Sequence, residues 1–173
     1  MNKEANPAKN PRLAEVGIRG ISLLFLLLGL LKLHGVMMAQ GTFATFLQLP
    51  NPIVSFVSNG SVVSLAAVAE ILIGYRGLRA GSLTFRGSLL LWFVGGALLY
   101  KVALIYVNYR GPCGCLFGIN KILPLSAGQQ RSLSDLILFL TAVIASTAIL
   151  YDRWLKRKMR KTSSTLLAAA SGA

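Results

Sequence analysis

Four apolar runs, each near twenty residues long, set what this chain can fold into. They extend from about Leu13 to Met38, from Ile53 to Tyr75, from Ser88 to Tyr109 and from Leu133 to Tyr151. About 20 apolar residues cross the hydrocarbon core of a bilayer as a helix. No water reaches the backbone there, so each segment must satisfy its own hydrogen bonds, and a helix does that. The expected fold is therefore all-α: an integral membrane bundle of four transmembrane helices within residues 13–152. Residues 1–12 (MNKEANPAKNPR) read as a flexible tail. Residues 153–173 read as a basic and then disordered tail. The competing reading of the first run is a cleaved secretory signal, with a small-residue site at Ala39. That run is too long for a signal core, and three more runs follow it.

Charge supports the same reading. Hydrophobic residues make up 54% of the chain and charged residues only 13%, about half the share of a soluble domain. The formal net charge of +13 would suit nucleic acid if it were spread over a polar fold. Instead the charges gather at the ends of the apolar runs, where a membrane protein keeps them. Of the 18 Lys and Arg, 13 fall on the side that holds both termini and the loop after the second run. The positive-inside rule then places both termini in the cytoplasm and the loops at 39–52 and 110–132 outside. The basic stretch WLKRKMRK is explained by anionic lipid headgroups, without nucleic acid.

Only two cysteines occur, Cys113 and Cys115 in RGPCGCLFG, four and six residues beyond Tyr109. Two cysteines and one histidine, His34, do not complete a closed tetrahedral zinc site. On the outer face a disulfide is permitted. A ring closed across one residue is expected to be strained, although Gly114 eases the backbone. A strained, exposed disulfide exchanges readily with thiols, and Arg110 beside it favours a thiolate. The alternatives are a structural bond, for which so short a loop gives little stabilisation, and a metal site short of ligands.

Ionisable residues inside a bilayer are candidates for function. Lys101 lies about 12 Å and Lys32 about 9 Å below the outer exits of their helices. Either they snorkel to the headgroups, or they line a pocket beneath the cysteine loop together with His34. Glu70, counted from Ile53, lies about 25 Å down. That depth pairs it with Arg19, in an ion pair expected to hold the bundle. Asp135 begins the fourth helix, where it complements the dipole and could reach Arg131 or the cysteine loop. Gly95 and Gly96 are expected to admit a neighbouring helix closely. Gly74, Gly77 and Gly81 are expected to loosen the turn after the second helix.

Arg19 opening helix one, the GLLKL stretch with Lys32, Glu70 in helix two and the CGC motif before the last helix form a combination. It resembles the methylamine-utilisation protein E (MauE) family within the DoxX-like membrane proteins, over roughly residues 13–152. Family members typically read CGCFG, whereas this chain reads CGCLFG, with Leu116 inserted. The resemblance implies a four-helix bundle in a bacterial inner membrane. It also implies a part in forming or exchanging disulfides in periplasmic proteins, beside a thioredoxin-like partner. Quinone is the electron acceptor that the wider DoxX group implies, and it would have to reach Cys113 or Cys115 directly from the bilayer. Two further readings stand beside this one: a non-enzymatic scaffold for a periplasmic redox or maturation protein, and a small-molecule or lipid transporter.

Overall fold

The computed structural model describes residues 11–79, 81–109 and 126–171. Five helices form among the described residues: α1 (Pro11–Met37), α2 (Thr42–Gln48), α3 (Asn59–Leu78), α4 (Leu83–Tyr106) and α5 (Ala127–Ser171). All but the short α2 are long and apolar enough to cross a membrane. The fold is the expected all-α bundle of four membrane helices. We call the end that holds the start of α1 and the α3–α4 turn basal, and the end that holds α2 apical.

Helices α1 and α3 form one tightly packed pair and α4 and α5 another, with α1 bridging to α5. Helices α3 and α4 barely touch, although they are neighbours in sequence. The α1–α3 contact is stitched by small residues. A Cβ on Gly74 would lie 2.6 Å from the Ser22 carbonyl oxygen, and one on Gly29 would lie 2.7 Å from that of Ala67. Gly77 packs against the Ser22 side chain in the same way. Lacking a Cβ, these residues let two backbones meet, which drives association where lipid offers no hydrophobic gain. Gly74 and Gly77 are thus packing residues rather than looseners of a turn. The expected close approach at Gly95 and Gly96 does not occur among the described residues: a Cβ on either would meet none of them within 4 Å.

Below the middle of the bundle an apolar core forms, with the buried Ser22 and Arg86 beside it. Ile18, Ile21, Phe25, Ile73, Leu90, Ala145 and Ala148 form one buried cluster. Phe25 and Phe93 close its apical side edge to face, with centroids 5.0 Å apart. Arg86, which the hydropathy runs leave in the loop between the second and third, is buried in the first turns of α4. Its guanidinium donates to the carbonyls of Gly77 (3.4 Å) and Gly81 (2.9 Å) and lies 4.0 Å from Glu15. It therefore satisfies carbonyls at and just beyond the end of α3, where a cation also complements the helix dipole.

Helix boundaries depart from the hydropathy runs for local reasons. The second span begins at Asn59, not Ile53. Pro50 and Pro52 disfavour a helix there, and the Asn51 side-chain oxygen accepts from the backbone N–H groups of Ile53 (3.0 Å) and Val54 (3.2 Å), forming an Asx turn. Ser58 then caps α3 by accepting from the Ser61 N–H at 3.2 Å, as an N-cap serine does. Helix α4 stops at Tyr106 in a Schellman motif. There Asn108 adopts φ 52°, and the N–H groups of Tyr109 and Asn108 donate to Leu104 and Ile105 at 3.0 Å each. At the other extreme α5 runs for 45 residues, about 67 Å. The expected disordered tail is helical to Ser171, since no Gly or Pro interrupts residues 129–171 and Ala, Leu, Lys and Arg all favour helix.

Candidate functional site

The apical half encloses a cavity of about 330 Å³ among α1, α3, α4 and α5, within the size range of small-molecule sites. Phe25 and Phe93 lie at its base, Trp92 and Leu65 at its sides, and Tyr109 and Phe46 also line it. Two groups of polar side chains border this largely apolar space.

The first is an ion pair. Lys32 of α1 donates to Glu70 of α3, and both residues are buried, at 3% and 5% exposure. The other Glu70 oxygen, Oε2, has no hydrogen-bond partner among the described residues. Removing two opposite charges from water is affordable only with such pairing.

The second group is centred on Asn51, which is 2% exposed. Its amide donates to Asn59 Oδ1 (3.1 Å) and to the Tyr100 hydroxyl (2.9 Å). The Asn59 amide in turn donates to the Phe46 carbonyl at 3.2 Å. One network thereby ties α2, the 49–58 turn, α3 and α4 together. Gly60 admits α2 against α3, since a Cβ there would lie 3.1 Å from the Leu47 carbonyl oxygen.

Helix register explains which charges meet. Gly29 faces Ala67 and Ile71, and Gly74 faces Ser22 and Leu26. Run antiparallel, that register leaves Lys32 about one turn, near 6 Å, apical of the position opposite Glu70. A helical side chain leans toward its own N-terminus, so the long Lys32 side chain reaches back to the carboxylate. The expected Arg19–Glu70 pair is therefore wrong. In this register Arg19 sits about nine residues, near 13 Å, basal of Glu70. It pairs instead with Glu15 at 2.7 Å on the surface of its own helix. Because α3 begins at Asn59, six residues after Ile53, Glu70 lies only about 16 Å along its helix.

Of the remaining sequence candidates, Lys101 pairs with Asp135 of α5 and does not line the cavity. His34 is exposed on α1 and does not line it either. Two residues further along a helix is more than half a turn around it, so His34 cannot share the face of Lys32. Arg110, Cys113 and Cys115 lie outside the described residues. Sequence reasoning missed Asn51, Asn59 and Tyr100 as a group. The Asn-Pro step at 51–52 and the asparagine in the least apolar run were the available signals.

Compared with protein-family models, with characterised proteins and with solved structures, the chain shows no match.

Proposed function

We propose that this chain is a thiol–disulfide exchange protein of a bacterial inner membrane, with Cys113 and Cys115 as the reacting pair. The observation that carries the reading is a tether. The only two cysteines of the chain follow Tyr109 by four and six residues, and Tyr109 lines the apical cavity. A chain spans at most about 3.6 Å per residue, so the Cα of Cys113 lies within roughly 14 Å of that of Tyr109. The excess of Lys and Arg at the basal end supports an apical end on the periplasmic face and both termini in the cytoplasm.

In the reaction, a thiolate of a periplasmic partner attacks one sulfur of the Cys113–Cys115 disulfide. The other cysteine leaves as a thiolate and a mixed disulfide forms. The partner's second thiolate then displaces the bound cysteine. Two electrons pass from the partner to the pair: the partner's dithiol is oxidised and the pair is reduced. A thioredoxin-like protein is the partner class suggested by the resemblance to MauE and DoxX-like proteins. Re-oxidation of the pair needs a two-electron acceptor, for which that resemblance suggests a membrane quinone.

Single Cys113→Ser and Cys115→Ser variants, each with one free thiol, test this. One of them should accumulate a mixed disulfide with a periplasmic protein, resolved by dithiothreitol on a non-reducing gel. If neither traps a partner and the pair's reduction potential lies below about −300 mV, the bond is a resistant structural one and the proposal fails. An impermeant maleimide should label the reduced pair from the periplasmic side alone.

A further inference from the structure

The splay between α3 and α4 opens the cavity sideways. Helices α3 and α4 barely meet, and a Cβ on Gly96 would find none of the described residues within 4 Å. Ala66 and Ala69 on α3 and Gly96 and Ala97 on α4 line the cavity with small side chains. Leu65 and Trp92, which also line it, are 73% and 82% exposed. In a membrane-spanning helix an exposed apolar side chain faces lipid, so the cavity communicates with the acyl-chain region between these two helices.

The chemistry at the inner end is selective. Lys32 and Glu70 cancel in charge, so an anionic or cationic headgroup would enter without a counter-charge and bear its own desolvation penalty. Lys32 carries three N–H donors and gives one to Glu70. Glu70 Oε2 is an acceptor with no donor among the described residues, and an unsatisfied buried acceptor is unfavourable. A head that only accepts, such as an ester, would leave that oxygen unsatisfied. An uncharged head that both donates and accepts, such as a hydroxyl, would satisfy both residues.

We propose that the apical cavity binds a single-chain, uncharged, hydroxyl-bearing lipid of the monoacylglycerol type, admitted from the bilayer between α3 and α4. Its hydroxyl head lies at Lys32–Glu70, and its tail leaves past Ala66 and Gly96. The proposal stands independently of the cysteine chemistry.

The test uses the full chain in nanodiscs and a monoacylglycerol whose acyl chain carries a photoactivatable diazirine. Labelling should saturate, concentrate on peptides containing residues 65–69 and 92–97, and be competed by unlabelled monoolein. Gly96→Trp, which fills the opening, should reduce it at least tenfold. A diazirine phosphatidylglycerol should label these peptides at least tenfold less. In the double variant Lys32→Met/Glu70→Leu, which removes both charges together, the preference for the monoacylglycerol over its di-O-methyl ether should vanish. Labelling spread evenly over the lipid-facing helices, labelling unchanged by Gly96→Trp, or equal labelling by the ether in the native protein would each overturn the proposal. Measuring the thermal midpoint of every variant separates loss of binding from loss of fold.

Discussion

The basal and apical halves of the bundle solve the same problem in opposite ways. Basally, α1 and α3 close on each other through Gly74 and Gly77, and an apolar cluster of Ile18, Phe25, Leu90 and their neighbours is buried between the helices. Apically, α3 and α4 part, and polar side chains border a cavity of about 330 Å³. The two halves share the same helices, so secondary structure does not separate them. What separates them is the helix pair concerned: Gly74 on α3 faces the α1 backbone, whereas Gly95 and Gly96 on α4 face no described residue within 4 Å. The basal half holds the bundle together, and the apical half is free to hold something else.

Four substitutions break or sharpen that contrast, in descending order of effect. Glu70→Leu strands the Lys32 ammonium inside the bundle and should destabilise by about 3–5 kcal/mol. Chemical unfolding in mild detergent reads the loss, and adding Lys32→Met should restore most of it. Gly74→Leu forces a side chain into the Ser22 and Leu26 backbone. It should cost about 3 kcal/mol or more, at or above the usual range for overpacking because backbone rather than side chain must yield. A Gly74→Leu protein as stable as the native one would mean that the basal seam is not packed as described.

Asn51→Ala removes the hydrogen bonds that fix the 49–58 turn and leaves the Ile53 and Val54 amides without their acceptor. A loss of about 1–3 kcal/mol is expected, with faster hydrogen exchange confined to the 49–59 segment and α2. Gly95→Ala should be neutral or stabilising by up to about 1 kcal/mol, since alanine favours helix and the added methyl meets nothing. That glycine substitutions at 74 and 95 should differ in sign is the sharpest form of the comparison.

Much of the fold was legible in the sequence, because hydropathy over twenty residues reports burial in lipid whatever the helices do to one another. The four spans and their all-α class follow from that alone. Rotation of each helix about its axis leaves hydropathy almost unchanged, and so the pairing of Lys32 with Glu70 was not legible. Nor could a glycine pair at 95–96 be told from one at 74 and 77, since the difference lies in what stands opposite. The start of α3 was partly legible: Asn51 and Pro52 carry a turn signal that the apolar residues after them outweighed. The cysteine pair stands out in the sequence by its spacing, and the exchange chemistry proposed for it rests on that spacing.

Helix α5 is longer than a membrane crossing requires. About 20 of its 45 residues suffice to cross a bilayer, so more than half of the rod serves some other purpose. It is continuous with the segment that packs on α4 and α1, and no glycine or proline hinge lies within residues 129–171. A change of tilt at the cavity wall, where Ser134 and Leu138 stand, is therefore not absorbed locally. Tilting the rod by ten degrees about its midpoint would sweep its far tip through roughly 6 Å. Whatever the basal tip touches would feel that displacement, which makes α5 a pointer whose short arm rests on the cavity.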